Sequence, residues 1–355
     1  MRRSRGNLAP VEPEVALERI AYLLDRHLAS RRRTTAFLRA AEVVRATDPQ
    51  HLRDLAGAGR LTELSGIGQS TGGVIADALA GRVPEYLARL ERTTAIEPGP
   101  GATLRAALRG DCHSHSTWSD GGASIEVMAR AAADLGHEYL VLTDHSPRLT
   151  VANGLDRGRL EAQLDEIAAL NERLAPFRVL TGMEVDIFAD GTLDMDDDVL
   201  ARLDVVVASA HSKLALEPEA MTRRLVTAVA NPHTDILGHC TNRRLAGVGD
   251  GRLEATGVSR KGSVFDAEVV FAACARFGTA VEINCRPERQ DPPDDLLALA
   301  VAWECLVSID SDAHAPGQLE WVSYGCDRAA RAGIGPEQVV NTRPADQLLA
   351  WTGAS

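Results

Sequence analysis

Apolar residues recur at spacings of three and four through the first ninety positions. "EVALERIAYLLDRHLA" (14–29), "AFLRAAEVVRA" (36–46) and "HLRDLAGAG" (51–59) each gather their apolar side chains on one face, which predicts amphipathic helices. In "LTELSGIGQSTGGVIADALAG" (61–81) the turn Ser65-Gly66-Ile67-Gly68 opens a further helix. The rhythm breaks at "TTAIEPGPGAT" (93–103), where Pro98, Gly99, Pro100 and Gly101 disfavour any regular element. Beyond it, short apolar or β-branched runs alternate with helical stretches such as "SIEVMARAAADLG" (124–136) and "AEVVFAACARFG" (267–278). The runs are "EYLVLTDH" (138–145), "RVLTGMEVD" (178–186), "DVVVASAH" (204–211), "TDILGHC" (234–240), "TAVEINC" (279–285) and "CLVSIDSDAH" (305–314), with a short one entering "GDCHSH" (110–115). Strand–helix alternation over this length predicts an α/β fold, a parallel barrel of seven strands. The chain divides into a helical part at 1–92, a Pro/Gly linker at 93–107 and a barrel at 108–355.

Placing the histidines on this pattern shows where chemistry is expected. The strands end in His113 and His115, in Asp144-His145, Glu184, His211 and His239, and in Asp312 and His314, with Asp120 in the loop after the first. In a parallel barrel the C-terminal strand ends converge on one face. Six of the ten histidines therefore meet three carboxylates at one mouth. His27, His51, His137 and His233 lack this pattern and read as surface or ordinary polar residues. A lone histidine at a strand end is usually structural, but so many imidazoles together would repel when protonated and waste hydrogen-bonding capacity when neutral. Imidazole with carboxylate and no thiolate suits Zn²⁺, Mn²⁺ or Fe²⁺, and nine ligands suit two or three ions, an arrangement fitted to phosphate-ester hydrolysis. Cys112, Cys240 and Cys285 sit beside the ligands, but alternation points them away, toward packing.

Composition narrows the setting. The chain has 355 residues, 45% apolar and 25% charged, and no apolar run reaches the ~18 residues of a membrane span. "MRRSRGNLAPVEPE" is basic but has no apolar core of a secretory signal. Six scattered cysteines without a C-x-x-C pair suit free thiols in a reducing cytoplasm. The net charge is -12, yet residues 1–100 hold 15 Arg against 12 Asp and Glu, so the first hundred carry +3 and the remainder -15. A mildly basic head on an acidic body separates two tasks, although Arg31-Arg32-Arg33 alone reads as a solvated helix face.

H-x-H, S-D-G, T-D-H-S, G-x-E, S-x-H, G-H and S-D-A-H, in this order, resemble the PHP (polymerase and histidinol phosphatase) domain over residues 108–354. The resemblance implies a distorted seven-stranded barrel with three divalent ions and a bridging hydroxide as nucleophile. It implies that His113 and His115 share one ion with Glu184 and Asp312. Glu184 would bridge to a second ion held by His211 and His239, and Asp120, His145 and His314 would hold the third. Glu184, Asp312 and His314 are the ligands it assigns to catalysis. Asp111 and Asp144 are expected to orient ligand histidines. "EINCRPERQDPPDDLL" (282–297) resembles the matching segment of bacterial family X DNA polymerases, which makes Arg286 and Arg289, with Arg243 or Arg244, candidates to grip substrate phosphate. "LSGIGQS" resembles a helix-hairpin-helix turn, in which Gly66 and Gly68 free backbone N–H groups for a DNA phosphate. The lyase lysine of those polymerases aligns near Val74, and the only lysines here are Lys213 and Lys261, in the barrel. The short linker leaves no room for a polymerase core, so DNA synthesis is not expected. What is expected is a metal-dependent phosphoesterase acting on DNA as a 3′–5′ exonuclease, 3′-phosphatase or abasic-site endonuclease. The alternative is a small-molecule phosphatase of the histidinol-phosphate kind.

Overall fold

The computed structural model describes residues 11–353, so most of the basic N-terminal stretch lies outside the described residues. The chain forms two compact units, Met1–Glu97 with Gly249–Leu253, and Pro98–Val248 with Glu254–Ser355. The first is built from α1 (Pro13–Arg26), α2 (Arg31–Ala46), α3 (Pro49–Gly57), α4 (Gln69–Leu79) and α5 (Glu85–Thr93). Pro13 opens α1 where no N–H is needed, and Asp48 caps α3 by accepting from the amides of Gln50 and His51 at 3.0 and 2.9 Å. The apolar faces read from the sequence meet in one core that includes Leu17, Ile20, Leu24, Phe37, Leu52 and Ile75. The turn before α4 is tight. Gly66 has φ +100°, and a Cβ there would lie 3.1 Å from Arg39 Nε and 3.2 Å from Val43 Cγ2.

The second unit holds seven parallel strands in chain order: β1 (Gly110–Asp111), β2 (Tyr139–Leu142), β3 (Arg178–Asp186), β4 (Val205–Ser209), β5 (Ile236–Leu237), β8 (Ala280–Asn284) and β9 (Val307–Asp310). A parallel bridge between Ser114 and Ala313, with the His115 amide donating to Ala313 O at 2.8 Å, brings the first and last strands together into a nearly closed barrel. Around it run α6 (Ala102–Ala107), α7 (Ile125–Asp134), α8 (Arg157–Leu174), α9 (Asp197–Leu200), α10 (Pro218–Val229), α11 (Ala267–Phe277), α12 (Asp294–Ala302), α13 (Val322–Arg331) and α14 (Ala345–Thr352). Alternation sorts the strand residues. Met183, Val185 and Val206 pack outward with Leu225 and Phe271, whereas Val141, Leu180 and Val207 fill the interior with Val340 and Leu348.

Two features depart from the pattern read in the sequence. The 93–107 linker is not structureless: Ala102–Ala107 forms α6, because Leu104 is buried, and the Gly101 amide donates to Asp327 Oδ1 at 2.8 Å. Gly101 is needed there, since a Cβ would stand 2.2 Å from the Cys326 carbonyl carbon. A two-stranded antiparallel hairpin, β6 (Arg244–Ala246) and β7 (Gly257–Arg260), also follows β5. It is short and largely exposed, so its residues carry no apolar alternation to announce it.

Candidate metal centre at the barrel mouth

Paired strands end early, and the residues just beyond them turn over the mouth. His113, His145, His211, His239, Asp312 and His314 all follow the last paired residue of a strand, while Glu184 is inside β3. Asp312 adopts φ +51°, a conformation that non-glycine residues rarely hold and that clusters at functional sites.

Glu184 is the hub. It is 1% exposed. Its Oε2 lies 3.3 Å from His113 Nε2, 3.6 Å from His115 Nε2 and 2.9 Å from His145 Nδ1. Its Oε1 lies 3.1 Å from His211 Nε2 and 2.8 Å from His239 Nε2. Burial alone would raise the Glu184 carboxyl, but His113, His211 and His145 around it hold it well below the usual carboxylate range. Asp120 Oδ1 stands 3.3 Å from His314 Nε2 and 3.6 Å from His145 Nε2, and Asp312 Oδ1 stands 3.5 Å from His115 Nε2. Burial first, then the neighbouring His314 and His145, push the His115 imidazole well below its ordinary pKa, which favours the neutral, lone-pair form.

The donor set fits metal ions. Seven nitrogens on five of these rings (His113, His115, His145, His211 and His239) are buried without a hydrogen-bond partner, a costly arrangement unless a cation takes the lone pairs. Three groups bring ligand atoms within 4.8 Å of one another: His115, Asp120, His145 and His314; His113, His115 and Glu184; His145, Glu184 and His211.

The partners of these rings differ from those expected. Asp111 accepts from the amides of His113 and Ser311, and Asp144 accepts from Ser116, Ser119 and Gln163, so neither touches a ligand ring. The carboxylate that does is Glu282, on β8. Its Oε1 lies 2.6 Å from His113 Nδ1, and its Oε2 accepts from the His239 amide. Donation from Nδ1 leaves the His113 Nε2 lone pair facing Glu184. Asn284, two residues on, bridges Glu282 Oε2 and Asp312 Oδ2 at 3.2 and 3.0 Å. Asp186 accepts from the His211 amide at 3.0 Å. Glu282, Asn284 and Asp186 were missed in the sequence, although polar residues at 282 and 284 between Val281, Ile283 and Cys285 signal an inward-facing pair. Glu282→Gln should weaken metal affinity about 10- to 100-fold while leaving the fold intact, as read by titration of the apoprotein with Mn²⁺.

The mouth opens into a cavity of about 280 Å³ lined by Arg243, Arg244, Arg260, Arg286 and Arg289 together with His145, His211 and Asp312. Arg286 Nη2 pairs with Glu288 at 2.8 Å and its Nη1 lies 2.9 Å from His314 Nδ1; Arg289 Nε is 3.2 Å from Asp312 Oδ2. His314 Nδ1 is also 3.0 Å from Asp312 O, and its Nε2 faces Asp120 Oδ1 at 3.3 Å. Arg243 points elsewhere: its guanidinium donates to the backbone carbonyls of Arg289 and Gln290. Cys112, Cys240 and Cys285 are free and buried, in keeping with packing.

In the helical unit, Gly66 joins Arg31, Arg32, Thr35, Ala36 and Arg39 in lining an open groove of about 530 Å³. Among the described residues its N–H has no partner. The Gly68 amide is not free as expected, because the hydroxyl of Thr71, three residues into the helix, accepts from it at 2.9 Å.

Residues 111–281 match the PHP domain. A DNA polymerase/3′-5′ exonuclease PolX of Bacillus subtilis is 40% identical over 244 residues, 69% of this chain, and the chain spans 41% of that protein's length. A "probable phosphatase" of Syntrophotalea carbinolica is 27% identical over 68% of this chain and 93% of its own. A structure of histidinol phosphate phosphatase from Lactococcus lactis, complexed with zinc, L-histidinol and phosphate, aligns at TM-score 0.42 and 17% identity, over 64% of this chain and 95% of that one, a likeness too distant to carry function. Residues 111–281, which carry His113, His115, Asp120, His145, Glu184, His211 and His239, are thus a PHP domain.

Proposed function

We propose that the chain hydrolyses phosphate esters in DNA, acting at strand ends or lesions as a 3′–5′ exonuclease, 3′-phosphatase or abasic-site endonuclease. The observation that carries this reading is Glu184, one buried carboxylate within 3.6 Å of five imidazoles beneath a mouth lined by arginines. Three divalent ions, Zn²⁺, Mn²⁺ or Fe²⁺, are assigned to the ligand sets His113, His115, Glu184 and Asp312; Glu184, His211 and His239; and Asp120, His145 and His314. When bound, such ions polarise the phosphoryl oxygens and lower the pKa of water. The chain's own residues supply the rest. Glu282 fixes the His113 ring, and Arg286 and Arg289, braced on Asp312, place positive charge beside the phosphate. Asp312 and His314 line the cavity where the reacting group would sit, and Glu184 acts beneath them as the shared ligand.

DNA is favoured over a small ester by the groove of the helical unit, where Arg31, Arg32 and Arg39 surround the unpartnered Gly66 amide. The 40% identity to PolX, whose name includes a 3′-5′ exonuclease, points the same way. Free buried thiols, with no helix among the described residues long and apolar enough to cross a membrane, support a place in the cytoplasm. The second reading, a small-molecule phosphatase, draws on the barrel-length phosphatase relatives.

The test offers the Mn²⁺-loaded protein end-labelled single-stranded, gapped and abasic DNA beside histidinol phosphate and an aryl phosphate. Metal-dependent shortening or nicking of DNA is expected; turnover of small esters with DNA untouched would leave the small-molecule reading in its place. The triple substitution Arg31→Ser, Arg32→Ser, Arg39→Ser should lower the preference for DNA over aryl phosphate. It should also flatten the slope of log K against log salt by about two to three units.

A further inference from the structure

Five arginines line the mouth, but they are not equivalent. Arg286 and Arg289 are each held in ion pairs, Arg286 with Glu288 and Asp312 and Arg289 with Asp312. Arg243, Arg244 and Arg260 form no ion pair with a carboxylate among the described residues. Arg260 donates to Asn242 O at 2.8 Å and Asn242 Oδ1 at 2.6 Å, both neutral acceptors, and the Arg244 side chain has no partner among the described residues. Arg244 and Arg260 are register partners on β6 and β7, directly opposite each other, and both are exposed. Like charges opposed across an antiparallel pair are destabilising. Burial, and then the charges of Arg289 and Arg244, press the Arg260 guanidinium downward in pKa, in accord with uncompensated positive charge at this rim. Both line the same cavity as His145, His211, His314 and Asp312, so an anion seated between them would share that cavity with a phosphate held at the metal centre.

We propose that the β6–β7 hairpin is a second phosphate subsite, in which Arg244 and Arg260 together clasp the phosphate next to the scissile one on a nucleic-acid strand. The inference rests on the DNA reading given above. A single-phosphate ester reaches only the metal centre and the pair Arg286 and Arg289; a strand also fills the arginine pair on the hairpin and relieves its repulsion. The site thereby selects a phosphodiester chain over a lone phosphate.

The test is a cycle between protein and substrate. The Mn²⁺-loaded full chain and its Arg244→Ser, Arg260→Ser variant are given oligonucleotides with either a native phosphate or an uncharged methylphosphonate at the linkage next to the scissile one, with an aryl phosphate alongside. In the wild type the methylphosphonate should lower kcat/KM about tenfold or more. In the variant this penalty should shrink to within about twofold, and aryl phosphate turnover should fall far less than cleavage of the native oligonucleotide. An equal penalty in both proteins overturns the subsite and leaves the DNA reading standing, and so does a variant equally impaired on aryl phosphate. If the wild type cleaves no oligonucleotide while it hydrolyses aryl phosphate, the DNA reading fails and the subsite with it.

Discussion

Glu184→Ala should abolish phosphoesterase activity, with kcat down by a factor on the order of 10³–10⁴ and the metal content of the purified protein reduced by more than one ion per chain. Among the described residues no other carboxylate stands within 3.6 Å of five imidazoles. Truncating it removes one shared donor from the groups around His113 and His115 and around His145 and His211 at the same time. The loss of several kcal/mol of Lewis-acid stabilisation corresponds to a rate factor of that size, at about 1.4 kcal/mol per tenfold. Metal analysis beside steady-state turnover reads both effects. The side chain lies in the barrel interior among buried polar groups such as Glu282 and Asn284, so folding is checked by circular dichroism and by Glu184→Gln, which preserves the volume. Wild-type turnover in either variant would overturn the assignment of Glu184 as the shared ligand.

Much of this was legible because it depends on periodicity. "RVLTGMEVD" is β3 residue for residue, and the three-and-four spacing of Leu17, Ile20 and Leu24 becomes one face of α1 in the helical core. Ligand residues could be found because parallel strands put successive C-terminal ends at one mouth, so a local feature of sequence, a histidine after an apolar run, maps to a shared place in space. Partners could not be found the same way. Glu282 reaches His113 across 169 positions, and nothing local says which ring a carboxylate on β8 will meet. Asp111 and Asp144 adjoin ligand histidines in sequence, yet strand alternation and the turns after the strands aim their carboxylates at backbone amides and serines instead.

The arginines show the same limit. Arg243 and Arg244 are adjacent, yet one side chain turns back to carbonyls at 289 and 290 while the other faces the cavity from an exposed strand. Arg260, sixteen residues away, comes opposite Arg244 through hairpin pairing that polar, glycine-rich sequence does not announce. In the turn before α4, the glycine pattern suggested two free amides, but the hydroxyl of Thr71 takes one of them. In each case a group three or more residues away, in backbone or side chain, decides what is left for a ligand.

Asp144→Ala should be the most damaging substitution outside the ligands themselves, at a cost of about 4 kcal/mol in stability. The carboxylate is 1% exposed. It accepts from the Ser116 amide at 2.8 Å, the Ser116 hydroxyl at 2.7 Å, the Ser119 amide at 3.3 Å and Gln163 Nε2 at 2.7 Å, and also from the Ser119 hydroxyl. Removing it leaves several buried donors without an acceptor, each costing about 1–3 kcal/mol if nothing replaces it. These contacts pin the loop 116–119 that delivers Asp120 to His314 and His145. The variant should therefore lose stability and, separately, lose order in the group formed by His115, Asp120, His145 and His314. Urea unfolding reads the first effect and Mn²⁺ titration of the folded variant reads the second. Ser116→Ala with Ser119→Ala removes the two hydroxyl donors and leaves Asp144, both amides and Gln163 in place. If Asp144 acts by holding this loop, that pair should reproduce part of the loss of metal binding. If Asp144 instead acts on a histidine ring, the serine pair should bind Mn²⁺ as the wild type does, and the account of the loop fails.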